Sequence, residues 1–508
     1  MAVHLRVSDL LKLSPRELLG GLGALFVVCF VWRAIYNLYF HPLAKVPGPR
    51  ICAINSFYTS YHWVSGRYPY VIRQLHEKYG TAVRLAPNQV SFCSEESWKE
   101  IYGHVGGRKQ FLKSNFYTQQ FPHIVNERDP IKHSEIRRLL SHGFSPRAVG
   151  EQEAYVHEYV DRFIQKVNIY ATKKDSPEEG EEMTKWYSFL TFDIIGDLAF
   201  GEPFGCLDDG RPHFWVSIIL DNIKAIAWST IFRQFLILRP VAIWLTPKAL
   251  MSKRIQHFEY SRDKIARQEP PHPKRVQSKT TRKDFLSNML DKKELKGITM
   301  DNLGANASIL ITAGSETTAT FLSSTSFYLC RTLSSYQKLV NEIRSSFNSY
   351  NEITGQATEN LTYLKAVIDE GLRIFPPVPI GMPRESPGEN VEGIYIPKGV
   401  EVFTSSYSAT HYSGNFHRPD SFIPERWIDP NCTDKKRASQ PFLLGSRGLA
   451  LLEMRVILAK MLWVYDMELM DPNLSWGKDT NCYVFWDKPK LPIRYTRRAG
   501  IVVPPLDG

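Results

Sequence analysis

Three patterns of hydrophobic and polar positions run along the chain. The first is a continuous apolar run from Leu18 to Trp32, broken by Arg33 and resumed from Ala34 to Phe40. A membrane span wants ~20 apolar residues. The run reaches that length if Arg33 snorkels and Trp32, Tyr36 and Tyr39 sit at the interface. A secretory signal is the competing reading, but no small-residue cleavage site follows and the continuation is aromatic and basic. Pro42, Pro47 and Pro49 then stop any helix and form a stiff elbow. The second pattern is the helical stripe. Leu303, Ala307, Leu310, Gly314 and Thr317 recur at 4-3-4-3 spacing, which predicts a helix over Asp301 to Tyr328. Another is predicted over Tyr363 to Ile374, closed by Pro376-Pro377, and a third face runs through Leu451, Met454, Leu458, Met461 and Tyr465. Leu-Pro-Ile-Arg-Tyr near the C-terminus reads as a strand. The third pattern is a polar gap, Gln268 to Arg282, which reads as an exposed loop inside the domain.

Composition adds bounds. With 508 residues, 43% of them hydrophobic, the chain can bury a large core. No Gly/Ser-rich linker or internal repeat divides it. The net charge of +11 is scattered, with no basic run interleaved with aromatics, which disfavours nucleic acid as a partner. A basic surface suits an anionic membrane or an acidic redox partner; a merely solvated surface explains the charge equally well. The seven cysteines include no CxxC pair and are odd in number, which argues against a disulfide framework or a zinc site and for a reducing compartment. No metal-ligand motif is present, and Gly20-Gly21-Leu22-Gly23 lies in the apolar run with no strand before it, so it is no phosphate loop.

Five segments carry candidate chemistry. Ala313-Gly314-Ser315-Glu316-Thr317-Thr318 sits inside the best helical stripe. A glycine there costs about 1 kcal/mol against alanine, so it marks room for another helix or a ligand; tight helix packing explains the hexamer as well as a binding role does. Glu370 and Arg373 share a helical face and can pair, which taken alone is a surface ion pair of little worth. Phe422-Ile423-Pro424-Glu425-Arg426-Trp427 follows some way downstream. His133 and Arg137, four apart in Asp129 to Ser145, can both reach one anion. Finally, Pro441 to Arg455 reads PFLLGSRGLALLEMR, a glycine-bearing loop that runs into the third helical face.

In this order the segments resemble the cytochrome P-450 monooxygenases, and within them the membrane-bound fungal enzymes of secondary metabolism. The resemblance runs from the hinge near Pro42 to the C-terminal strand. It implies a mainly α fold with smaller β-sheets (α+β), with residues 1–50 as membrane anchor and proline hinge and 51–508 as the haem-monooxygenase domain. It implies haem b as cofactor, with His133, Arg137, Arg384 and Arg447 on its carboxylates, Phe442 in its loop and Gly314 leaving space for oxygen. Glu316 and Thr317 match the acid–alcohol pair that handles protons, and Glu370, Arg373 and Arg426 a buried folding triad. Electrons would come from NADPH through a separate reductase. The substrate would be a lipophilic secondary metabolite of terpenoid or polyketide class, touched by Asn115 to Phe121 and Phe214 to Ile231. A single anchor in the endoplasmic reticulum membrane would leave the catalytic domain cytosolic.

The chain departs from the family at one junction. In the family a cysteine that ligates iron follows the position of Gly448, whereas here Leu449-Ala450 comes at once. Set against the pattern, about five residues are absent, ~7.5 Å of helical rise. Three readings follow, in this order: an active enzyme whose recorded sequence lacks a short in-frame piece; a haemless pseudoenzyme or scaffold of the same fold; haem held by another ligand. Strain or fraying is expected near Gly448, with no global unfolding.

Overall fold

The computed structural model describes residues 14–104, 106–117, 122–172, 180–213, 228, 285, 298–443 and 447–503. The predicted loop at Gln268 to Arg282 lies outside the described residues, as do 118–121 and all of 214–231 except Trp228.

The N-terminal helix α1 (Pro15–Ile35) opens with a capping box between Ser14 and Glu17 and continues as one wide turn, Tyr36–Phe40. Arg33 does not interrupt it, because a long straight side chain loses little freedom in a helix. No residue of α1 is buried, and among the described residues this is the helix long and apolar enough to cross a membrane. Its end is bolted to the domain. Asn37 is buried and its carbonyl accepts from Arg84 Nη1 at 2.8 Å, while Arg84 Nη2 donates to the Pro87 carbonyl at 2.8 Å.

Arg84 belongs to β1 (Ala82–Ala86), the edge of a five-stranded sheet. With β2 (Gln89–Phe92), β3 (Leu112–Lys113), β4 (Arg384–Glu385) and β5 (Glu401–Thr404), the strand order is β1-β2-β5-β4-β3. β2 and β5 run parallel and the other pairs antiparallel. The register at the far edge sets Lys113 opposite Arg384. A second sheet pairs β6 (Tyr465–Leu469) with β7 (Pro492–Arg497), which contains most of the strand predicted near the C-terminus.

The core is helical. α2 (Pro130–Leu140) is capped by Asp129, whose carboxylate accepts from the Ile131 backbone N–H at 2.8 Å. α3 (Pro146–Thr172) and α4 (Met183–Phe200) follow; α4 is apolar nearly all round and buried to match. It lies along α5 (Met300–Arg331), the long helix predicted from the 4-3-4-3 stripe. α6 (Leu333–Ser346) and α7 (Thr362–Ile374) pack beside α5, and a Cβ at Gly371 of α7 would collide with Thr325 and Phe321.

α8 (Gly448–Val464) begins at the interrupted junction. Its predicted face holds: Met454, Leu458, Met461 and Tyr465 are buried, and Leu451 is half-buried. Side chains fix its register along its length. Arg455 Nη2 donates to Glu359 at 2.8 Å, Lys460 Nζ to Asp161 at 2.6 Å, and Trp463 Nε1 to the Phe347 carbonyl at 3.1 Å. The helix is regular from Gly448 onward, although Arg447 gives it no side-chain cap. Strain falls upstream instead, at Leu443, which adopts φ +51° in the left-handed region. The intervening residues 444–446 lie outside the described residues.

Candidate cofactor site

A cavity of about 760 Å³ opens where α2, the β3–β4 edge of the sheet and the loop before α8 meet. α2 contributes His133, Arg137 and Leu140; the sheet edge contributes Lys113 and Arg384; the loop contributes Phe442 and Leu443; α5 contributes Leu310. Of the residues predicted to hold a cofactor, His133, Arg137, Arg384 and Phe442 are thus brought together. Arg447 is not among them. It is exposed beyond the lining, where its charge and that of Lys365 partly offset the upward push of burial on the Asp369 carboxyl.

Two cations escaped the sequence reading, Lys113 and Arg128, both on the cavity wall. No motif marks them; only the strand register reveals that Lys113 stands opposite Arg384. Like charges directly opposite across a ladder repel. The Arg384 guanidinium sits 5.1 Å from the Tyr102 ring centroid and 5.8 Å from that of Tyr117, and it donates to the Pro383 carbonyl at 3.1 Å. Lys113 Nζ donates to the Ile124 carbonyl at 2.8 Å. Arg128 pairs with Glu385 at 3.5 Å. Among the described residues no carboxylate lies within ion-pair reach of Lys113, Arg137 or Arg384. The consequence is visible in their proton affinities. Burial, then Arg384, brings Lys113 down to about 8. Burial, then Lys113, Arg137 and Arg384, brings His133 down to about 4. The cavity is a net positive cluster with a largely apolar wall, offset in part by the Glu127 carboxylate that also lines it.

The α5 residues are placed differently. Leu303 and Ala307 of the stripe are buried, while Leu310, Gly314 and Thr317 are half-exposed, and Leu310 reaches the cavity. A Cβ on Gly314 would meet Ile195 Cδ1 at 2.8 Å, so the glycine makes room for α4 and the space beside it is filled by Ile195. Thr317 Oγ1 donates to the Ala313 carbonyl at 2.6 Å. Glu316, about 100° round the helix, is buried and ion-paired with Lys488, whose Nζ also donates to Thr320 Oγ1 at 3.1 Å. Glu316 and Thr317 are therefore neighbours in sequence that do not touch each other's partners. Lys488, from the segment before β7, left no trace in the sequence pattern.

On the far side of α5, Glu453 of α8 is fully buried with the Thr318 hydroxyl as its partner, and burial pushes its carboxyl up to about 8. The charged triad is complete. Glu370 Oε1 accepts from Arg373 Nη2 at 2.8 Å, the Ile423 backbone N–H at 2.8 Å and Arg426 Nε at 3.2 Å. Its Oε2 accepts from Arg373 Nε at 2.8 Å and Trp427 Nε1 at 2.9 Å. Asp434, which the sequence reading missed, pairs with Arg426 as a fourth member.

Haem presents two carboxylates, a flat apolar body and an iron that needs an axial ligand. The cation cluster fits the carboxylates, and Leu140, Phe144, Leu310 and Phe442 fit the apolar body. No thiolate is provided for the iron: none of the seven cysteines lines the cavity, Gly448 leads straight to Leu449, and the nitrogen donors on the wall are His104 and His133. The fit is to one end of the cofactor only.

A sequence model of the family Cytochrome P450 matches residues 48–489. The cytochrome P450 monooxygenase ORF9 of Penicillium roqueforti is 40% identical over 476 residues, covering 92% of this chain and 91% of its own length. The cytochrome P450 monooxygenase BOT4 of Botryotinia fuckeliana is 39% identical over 499 residues, covering 96% of this chain and 93% of its own. The cytochrome P450 monooxygenase astJ of Aspergillus oryzae is 37% identical over 479 residues, covering 91% and 93%. With a helical domain, small sheets and a cation-lined cavity in place, the chain belongs to the cytochrome P450 family and is a P450-type monooxygenase by that membership.

Proposed function

We propose that the working protein is a haem-thiolate monooxygenase acting on a lipophilic secondary metabolite of terpenoid or polyketide class, fed with electrons by an NADPH-dependent reductase. Its segment 1–50 is the membrane anchor and hinge, its segment 51–508 the catalytic domain on the cytosolic side of the endoplasmic reticulum. The short cysteine-bearing segment between Gly448 and Leu449 is part of that working form and absent from this one. One observation carries the reading: Lys113, Arg137 and Arg384 converge on one cavity with no carboxylate in ion-pair contact among the described residues, leaving the site net positive despite Glu127 on its wall. Such a cluster costs stability and has a use only with an anion in it.

Haem in that cavity supplies oxygen activation; the remaining roles belong to the chain. Arg137, Arg384 and Lys113 hold the carboxylates and fix the ring's orientation. Glu316 keeps a carboxylate in store, held by Lys488 away from Thr317. Thr317 offers a hydroxyl oxygen whose proton is committed to the Ala313 carbonyl. Proton supply to a bound substrate requires Glu316 to leave Lys488. No step through iron is assigned to the chain as it stands, because it offers iron no thiolate.

The second reading, a haemless pseudoenzyme or scaffold, rests on the same absent cysteine. Sequencing the transcript across Phe442 to Arg455 separates the two. A cysteine codon within an in-frame insert after Gly448 supports the monooxygenase. A transcript that runs directly from Gly448 to Leu449 overturns it, and a haem Soret band on the purified protein, present or absent, then divides haem held by another ligand from the haemless reading.

A further inference from the structure

We infer that the face carrying Ile51, Phe57 and Tyr61 rests on the lipid surface, and that the contacts closing the elbow after α1 hold it there. The inference rests on the reading of residues 1–50 as a membrane anchor. It is independent of how the junction at Gly448 is resolved in the transcript.

Two short helices follow the elbow, Arg50–Ile54 and Phe57–Val64. The second is inside out. Its Thr59 and Ser60 are buried, while Phe57 is 55% exposed and Tyr61 68%. A helix on a water-facing surface turns its hydroxyls outward and its aromatic rings to the core. Phe57 and Tyr61 stand four apart, so they share one side. Arg50–Ile54, with Ile51 exposed, packs against the end of α1, where Tyr39 and Phe40 are exposed as well. Apolar surface thus continues from the span onto the domain. Other exposed apolar side chains, such as Ile169, Leu333 and Tyr395, come from segments far apart in the chain. Aromatic rings at headgroup depth and aliphatic groups just below are what a lipid interface accepts. Lys45 and Arg50, both exposed between the span and the stripe, suit its phosphates.

The elbow settles which occupant the face meets. Asn37, at the end of α1, is gripped twice: its carbonyl accepts from Arg84 Nη1 at 2.8 Å, and its side-chain nitrogen donates to the Ile54 carbonyl at 3.5 Å. His41 Nε2 lies 3.0 Å from Asn88 Oδ1, and Leu43 is fully buried. The Pro47 carbonyl accepts from the Arg84 backbone N–H at 2.8 Å. A Cβ at Gly48 would meet the Arg84 carbonyl oxygen at 2.5 Å, so the crossing has no slack. A span fixed in this way sets the height and tilt of the domain. The face that adjoins the span is then the face the bilayer meets.

The test uses the full chain in phosphatidylcholine vesicles, with photoreactive p-benzoylphenylalanine placed singly at Phe40, Tyr61 or Tyr395, all exposed. Adducts formed on illumination are read by mass. Lipid adducts are expected at Phe40 and Tyr61 and none at Tyr395. Arg84→Met removes charged hydrogen bonds to Asn37 and Pro87, worth at least about tenfold in the equilibrium that holds the span. It should lower the adduct at Tyr61 and leave that at Phe40 unchanged. The comparison of positions needs no change at Arg84, so it stands even if that variant fails to fold. An adduct at Phe40 without one at Tyr61 would overturn the inference and leave the anchor reading intact. No lipid adduct at either position overturns both. Equal adducts at Phe40, Tyr61 and Tyr395 overturn it, because the contact would then be unspecific. A Tyr61 adduct to a second copy of the chain, seen as a doubled mass, overturns it in favour of a protein interface. An undiminished Tyr61 adduct in folded Arg84→Met would overturn the elbow as the device that seats the face.

Discussion

The charged knot around Glu370 and the cation cluster at the β3–β4 edge use the same kinds of side chain to opposite ends. In the knot every charge finds its complement inside the protein: Glu370 accepts from Arg373, Arg426, Trp427 and a backbone N–H, and Asp434 answers Arg426. Such a set is closed, so its members are held by folding alone. In the cavity Lys113, Arg137 and Arg384 converge with no carboxylate in ion-pair contact among the described residues, and Glu127 on the same wall offsets them only in part. Such a set is open and stays unfavourable until an anion arrives. The difference teaches where to look for function in a chain rich in buried charge: at the charges that the fold leaves unbalanced.

Four substitutions sharpen or break that contrast. Glu370→Ala should cost about 3–5 kcal/mol in chemical denaturation, since it strands the buried Arg373 guanidinium and leaves Arg426 with Asp434 alone; a loss under about 1 kcal/mol would mean that the knot is not closed as described. Glu453→Gln acts through pH. The folded carboxyl titrates near 8, above its ordinary value of 4.5. The native state therefore keeps a proton that the unfolded chain sheds, and stability falls as pH rises from about 4.5 to 8. The glutamine variant should be nearly neutral at pH 5 and stabilised by about 4 kcal/mol at pH 8.5; thermal melts at the two pH values read this directly. Lys488→Met leaves Glu316 buried without its cation and should cost about 2 kcal/mol, with Glu316→Gln in the same chain restoring most of it. Smallest is Arg384→Gln in the ligand-free chain. It relieves the repulsion with Lys113 and should change stability by less than about 1 kcal/mol, in the stabilising direction. A large destabilisation there would put Arg384 in the class of Glu370 and erase the contrast.

Much of this was legible in the sequence because it is local. The 4-3-4-3 stripe located α5, the stripe after Gly448 located the buried face of α8, and Glu370 and Arg373 are one turn apart on α7. What was not legible depends on register between distant segments. Lys113 reaches Arg384 only because β3 pairs with β4, and Lys488 reaches Glu316 from beyond the second sheet's first strand. Asp434 joins the knot through a loop with no periodicity to betray it. Gly314 shows the limit from the other side. Its presence in the helix was plain, but whether the room served a ligand or a helix rested on Ile195, which lies on another helix.

The fastenings of α8 have a consequence for the cell. Arg455, Lys460 and Trp463 hold the helix from its side and far end, and its apolar face is covered. Protein quality control responds to exposed apolar surface, and a shortened loop ahead of a well-seated helix offers it little to detect. A message spliced with and without the cysteine segment would then yield two proteins of equal standing, one with an axial thiolate and one without.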